Sequence, residues 1–300
     1  MWLARQAMAG EWQAVMVIAA LSLIGIVLPP VGYLAMALIT LTTLQAGPSV
    51  GLKVMMFAFI AFAVVSMIGL NEPQLMLIAL LGSWLPVYGL TLVLGYQRSI
   101  ASTLLVGAIV SLMLLAVFHL IIGDTVQWWR EVTEPYLMTQ FGQIGLNDKD
   151  AETILTALLP RMTGLVITML LLNSVIAVLI GRAWQAALYS PGQFAIEFQQ
   201  MRIGKTPALV TAIVLVASVI PSMEKTVIQE ILPIALTLFA LQGLAIIHAL
   251  VRQKQQTKVW LIVTYILLLF MLPEMVVMLA VLGILEQWFN FRQRALASGE

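Results

Sequence analysis

Five polar side chains stand inside long apolar runs of this chain: His119, Asn173, Glu230, Gln242 and His248. A polar group in hydrocarbon needs partners, so such positions are the first place to look for function. His119 and Asp124 have a His-x4-Asp spacing, the arrangement of a base and its orienting acid in membrane acyltransferases. The glycine-rich and basic phosphate-gripping segments of those enzymes are missing, so the spacing is read as coincidence. On the same run Thr103, Gly107 and Ser111 recur every four residues. That small-residue stripe suits close helix packing, and His119 continues it. Glu230 and His248 are 18 residues apart, which puts them on one helix face but about 27 Å apart along the axis. They cannot form a dyad, and each reads as an end-anchor near water. Asn173, at mid-span, and Gln242, past the middle of its run, either line a cavity or bond helix to helix. With His119 and Glu230 they form the candidate set for a ligand cavity.

Other chemistry finds no foothold. There is no His-Glu-x-x-His, no Gly-x-Ser-x-Gly and no phosphate loop. Cysteine is absent, and the aspartates are Asp124, Asp148 and Asp150 alone. No metal site, cofactor or catalytic residue is expected, and the chain does not read as an enzyme.

The elements that hold these residues follow from composition. Of the 300 residues, 61% are hydrophobic and 10% charged, against roughly 45–50% and about 25% in soluble domains. So few charges cannot cover a soluble surface, and the chain reads as one integral membrane domain over 1–300. A net charge of +1 carries no nucleic-acid footprint. Apolar runs fall at 14–28, 31–44, 52–70, 75–96, 100–122, 164–181, 208–220, 227–251, 259–272 and 275–289. Pro29-Pro30 breaks the first two apart and Pro273 the last two, because proline lacks the N–H and restricts its predecessor. The expectation is an all-α polytopic bundle of eight to ten membrane segments, eight if each proline-broken pair is one helix. An inverted repeat of five segments finds no support, because the broken pairs open and close the chain instead of recurring at corresponding positions.

Orientation follows from Lys and Arg. With both termini cytoplasmic, eleven basic residues fall inside and four outside: Arg130, Lys149, Arg161 and Lys225. Trp12, Trp184, Trp260 and Trp288 then lie at the inner boundary, and Trp128 and Trp129 at the outer one, as interfacial rings should.

Two loops carry structure of their own. Loop 123–161, on the outside, holds Trp128, Trp129 and Val132 on one helical face over 125–134. A second helix is capped by Asn147, with Asp148, Asp150 and Glu152 in its first turn and Ile154, Leu155, Leu158 and Leu159 as its apolar stripe. Both read as amphipathic helices on the membrane surface, either a connector or a lid. Loop 182–206, on the cytoplasmic side, turns at Ser190-Pro191-Gly192. Phe194, Phe198, Met201 and Arg202 follow at helical spacing, which predicts a short interfacial helix with Glu197 and Arg202 exposed.

The pattern Arg182, Trp184, Gln185, Pro191, Gly192, Phe194, Glu197, Phe198 and Arg202 resembles the YybS-like family of bacterial polytopic membrane proteins. The resemblance implies a fold similar to the substrate-binding subunits of energy-coupling-factor vitamin transporters, and a place in the bacterial inner membrane. Those subunits dock a partner through Ala-x-x-x-Ala in the first helix, where this chain has Ala19, Ala20 and Ser22, so no docking residues carry over from there. The leading functional expectation is binding or translocation of a small, largely apolar solute or lipid. The alternative is a scaffold or assembly factor that docks a cytoplasmic or membrane protein through Arg182, Trp184, Pro191, Gly192, Phe194, Glu197, Phe198 and Arg202.

Overall fold

A computed structural model describes residues 1–68, 74–221 and 227–297. The expected span end at Asn71-Glu72-Pro73 and the basic Lys225 lie outside the described residues. Those described are helical, without a strand. Six helices are long and apolar enough to cross a membrane: Pro48–Ile68, Met76–Gln97, Ile100–Ile122, Asp148–Tyr189, Ile228–Gln253 and Leu272–Phe289. Glu11–Val27, Lys205–Ser218 and Val259–Phe270 are shorter apolar helices.

The proline breaks are real. The chain leaves helical geometry at Leu28, with φ −122° and ψ 83°, between α2 (Glu11–Val27) and α3 (Pro29–Ala46). Both prolines occupy the first turn of α3, where their missing N–H groups have no intrahelical acceptor to serve. Met271, with φ −128° and ψ 50°, divides α14 (Val259–Phe270) from α15 (Leu272–Phe289) in the same way. Each pair is therefore two helices.

The chain forms two compact units. The first comprises Met1–Gly107 and Leu170–Met201. It holds α1 (Trp2–Ala7), α2, α3, α4 (Pro48–Ile68), α5 (Gln74–Ala79) and α6 (Leu85–Gln97). To these it adds the start of α7 (Ile100–Ile122), most of α10 (Met162–Tyr189) and α11 (Gln193–Gln199). Between α5 and α6 a π-helical turn spans Leu80–Trp84. Pro86 explains it: with no N–H to offer the carbonyl four residues back, the ladder widens ahead of it. Ala37, Leu38, Ile39, Leu41, Met55 and Val87 form the buried centre of this unit. The stripe Thr103, Gly107 and Ser111 is buried. However, a Cβ at Gly107 would meet the side-chain tips of Leu171 and Leu90 at 2.9 and 3.2 Å. Side chains, not backbone, face it.

The second unit comprises Ala108–Met169 and Arg202–Glu300. It contains α8 (Thr125–Gln143), α9 (Asp148–Leu158), a 3₁₀ turn over Leu159–Arg161, α12 (Lys205–Ser218), α13 (Ile228–Gln253), α14, α15 and α16 (Phe291–Ala297). The Asn147 side chain accepts from the Asp150 N–H and caps α9 as expected. Ala151 and Leu155 of α9 and Leu159 of the turn after it are buried, while Ile154, expected in the same apolar stripe, is exposed. Helix α8 runs nine residues beyond the expected 125–134, to Gln143. Arg130 fixes the two helices to each other, with Nη1 2.9 Å from Glu152 and 3.3 Å from Glu134. These carboxylates hold the Arg130 guanidinium above its ordinary pKa, chiefly through the Glu152 hydrogen bond. In the buried heart of this unit α13 lies against α15, around Phe239, Gln242, Ala245, Ile246, Leu279 and Ala280.

Candidate functional site

Within the first unit, α3 borders open space at both of its ends, beside the π turn that precedes α6 at one and beside the end of α6 at the other. At the start of α3, a cavity of about 180 Å³ is lined by Ser22, Gly25, Gly32, Phe62, Ser83 and Trp84, among others. Trp84 is held there by Phe59 and Phe62, each with ring centroids 6.0 Å away. The π turn places Ser83 and Trp84 on this wall, and π turns are frequent at functional sites.

At the other end of α3 lie two adjoining spaces that share Leu44 and Gly95. One, of about 440 Å³, is bordered by Thr43, Gly47, Pro48, Thr91 and Tyr96. The other, of about 330 Å³, is bordered by Arg98, Arg182, Gln185, Ser190 and Glu197. Between the two ends the packing is closed. Thr91 gives its proton to the Val87 carbonyl at 2.7 Å, so the fully buried Thr40 must donate to Thr91 across 3.0 Å.

The loop beyond α10 is built into this second opening. Ser190, Pro191 and Gly192, the last with φ 87°, turn the chain back so that α11 faces the end of α10. Arg182 then grips Glu197 with both branches, Nε to Oε2 at 2.9 Å and Nη2 to Oε1 at 2.6 Å. A bidentate fork of this kind is the strong geometry for a carboxylate. Gln185 and Gln193 complete it at 2.8 and 3.1 Å. The expectation that Glu197 stands exposed is thus corrected: its partner is Arg182 of the same chain. Phe198 and Met201 are buried, Phe194 stacks on Phe198, and Trp184 is half-buried. Pro191 and Gly192 remain exposed. Arg202 is exposed but bonds Asn290 at 2.7 Å and Glu286 at 3.4 Å within the second unit.

The intramembrane candidates separate into bonds and one cluster. Asn173 accepts from the Tyr33 hydroxyl and joins α10 to α3. Gln242 is fully buried; it accepts from the Ile203 N–H at 2.7 Å and donates to the Gly283 carbonyl at 2.6 Å. Both are helix-to-helix bonds, and neither borders a cavity named above. His248 bonds the Tyr265 hydroxyl at 2.9 Å.

His119 and Glu230 do come together. Nε2 of His119 lies 3.2 Å from Oε2 of Glu230, and the two side chains are 33% and 4% exposed. Glu230, expected as an end-anchor near water, is therefore buried and paired with His119. The Thr163 hydroxyl stands beside the carboxylate and accepts from the Trp129 indole N–H at 2.9 Å. Gly164 makes this possible. A Cβ there would sit 2.4 Å from the Glu230 backbone, so only glycine lets α10 begin against α13 and bring Thr163 alongside. Asp124 takes no part with His119; its carboxylate caps α8 by accepting from the Gln127 N–H at 2.9 Å.

Sequence reading missed Trp129, Thr163 and Gly164 here, and Glu286 and Arg292 elsewhere. The available signal was Thr163-Gly164 at the head of an apolar run, and an acid, Glu286, within the last one.

A family model described as "Predicted membrane protein (DUF2232)" matches residues 16–286. The chain belongs to the DUF2232 family. In this DUF2232 protein the match runs from within α2 to within α15, and therefore takes in the cavities around α3, the His119–Glu230 pair and the Arg182–Glu197 grip. No curated protein and no solved structure matches the chain.

Proposed function

We propose that this membrane protein binds a small, largely apolar solute in the 180 Å³ cavity of its first unit and passes it along the α3–α6 pair. The observation that carries the reading is the open space at both ends of α3, closed between them where Thr40 meets Thr91 of α6. The first cavity is mainly apolar, with Ser22 and Ser83 as its few polar groups, the usual make-up of a small-molecule pocket. The far openings add the charged Arg98, Arg182 and Glu197. Solute binding is also what the resemblance to transporter substrate-binding subunits implies.

Native mass spectrometry of the detergent-purified protein tests the reading. The wild type should retain a bound small molecule. Ser83→Phe and Gly32→Leu, which project bulk into the cavity, should lose at least nine-tenths of it, while Gly89→Ala, remote from any neighbour within 4 Å, should keep it. Equal retention by all four proteins would reject the site.

The reading goes with eight to ten membrane segments in a bacterial inner membrane and both termini cytoplasmic, which the eleven-to-four distribution of basic residues supports. The three shorter apolar helices would then join the six long ones. Reporter fusions after Gln97, Gly204 and Gln253 should read cytoplasmic, and one at Gln143 external. A cytoplasmic signal at Gln143 would overturn this topology.

A further inference from the structure

The geometry points to a proton-binding site at His119 and Glu230, one that takes up and releases a single proton through the partly exposed imidazole. The inference is independent of the solute cavity, which lies in the other unit.

It starts from donors and acceptors. Nδ1 of His119 lies 3.1 Å from the Leu115 carbonyl oxygen. A carbonyl only accepts, so Nδ1 carries a hydrogen. Nε2 lies 3.2 Å from Oε2 of Glu230. Two lone pairs at that distance repel, so the pair carries a further proton, on the imidazole or on the carboxyl. It thus shares one proton beyond the Nδ1 hydrogen, and its net charge is zero. Oε2 is buried and accepts no well-aligned hydrogen bond among the described residues, so besides the Thr163 hydroxyl the imidazole is the group beside the carboxyl that can balance its charge.

Release is balanced simply: the shared proton passes to water, leaving neutral imidazole and carboxylate with a net charge of −1. The imidazole is the member one-third exposed, whereas Glu230 is buried, so exchange with water runs through His119. Loss of the proton leaves the Nε2 lone pair against the carboxylate unless the remaining ring hydrogen moves to Nε2 and gives up the Leu115 carbonyl.

Among the described residues, the charged groups on the surrounding elements are Asp124, Arg130, Glu131 and Glu134 around α8, Arg161 on the 3₁₀ turn and Glu274 at the start of α15. Arg130 is held by Glu134 and Glu152, Asp124 caps α8, and Arg161 bonds the Ala157 carbonyl at 2.6 Å. Trp129 and Thr163 are the neutral groups beside the carboxylate.

Infrared difference spectra of the purified protein between about pH 4 and about pH 10 test this, a window that covers ordinary carboxyl and imidazole titration. The wild type should show carboxyl and imidazole bands that titrate together. Glu230→Gln should remove the carboxyl band and move the midpoint of the imidazole band, which loses its partner. His119→Gln should leave a carboxyl band whose midpoint moves by about one pH unit or more, because coupled groups titrate as a pair. If Glu230→Gln fails to fold, His119→Gln decides alone, since its side chain is partly exposed. A wild-type spectrum in which neither variant alters any pH-dependent band would overturn the site and leave a static ion pair.

Discussion

Glu286→Leu is expected to cost about 3–5 kcal/mol, the usual result of removing one partner from a buried ion pair. The Glu286 carboxylate is fully buried near the end of α15. It accepts from the Phe291 N–H at 2.6 Å, from Arg292 Nε at 2.8 Å and from Arg202 Nη2 at 3.4 Å. Phe291 is the first residue of α16, so the carboxylate also sits where a helix N-terminus favours negative charge. Asn290 reverses the chain there in the left-handed region, at φ 49°, which asparagine tolerates better than most residues. Removing the carboxylate takes the 2.8 Å bond from Arg292, itself only 6% exposed, and frees the start of α16. Unfolding by a denaturing detergent in mixed micelles measures the loss. Glu286→Leu combined with Arg292→Met should recover most of it, because an apolar pair in place of a buried ion pair is near neutral. A single-variant cost below about 1 kcal/mol would show that the cluster is solvated and carries little stability.

The same cluster shows why parts of this molecule could be read from the chain and others not. Local signals held. The prolines at 29, 30 and 273 broke helices where their missing N–H groups require it, and Asn147 capped α9. What a residue bonds to across the fold was not visible. Asn173 and Tyr33 are 140 positions apart, and nothing local says that one answers the other. His119 and Glu230 each stand near the end of an apolar run, yet they lie on α7 and α13, and nothing local says that these two ends meet. Arg182 and Glu197 are only 15 residues apart, but the reversal at Ser190-Pro191-Gly192 decides that they meet. Reading that loop as one helical face turned Glu197 outward. The cavities were the least legible, because they depend on where helices fail to touch, and the π turn at Leu80–Trp84 that shapes one of them follows only indirectly from Pro86.

The largest effect of all is expected at the crossing of α13 and α15, where Gly243→Val should abolish accumulation of folded protein and Gly243→Ala should cost about 4 kcal/mol or more. A Cβ at Gly243 would lie 2.0 Å from the Leu279 carbonyl oxygen and 2.7 Å from its carbon; one at Gly283 would lie 2.2 Å from the Phe239 oxygen. The two glycines thus admit each helix backbone to the other, the close approach that small residues permit between membrane helices. Overpacking normally costs about 1–3 kcal/mol, because side chains give way. Here the obstacle is the backbone of a helix, and α15 must move as a body. Moving it also breaks the 2.6 Å bond from Gln242 Nε2 to the Gly283 carbonyl, which leaves a fully buried amide unsatisfied at a further cost of about 1–3 kcal/mol. Gly89→Ala is the matched control. No atom lies within 4 Å of its would-be Cβ, and within a helix the change should gain about 0.5–1 kcal/mol. Fluorescence size-exclusion chromatography and melting in detergent compare the variants directly. If Gly243→Ala melts with the wild type and Gly89→Ala, the α13–α15 crossing is not the closest packing in the second unit, and Gln242 is not held by it.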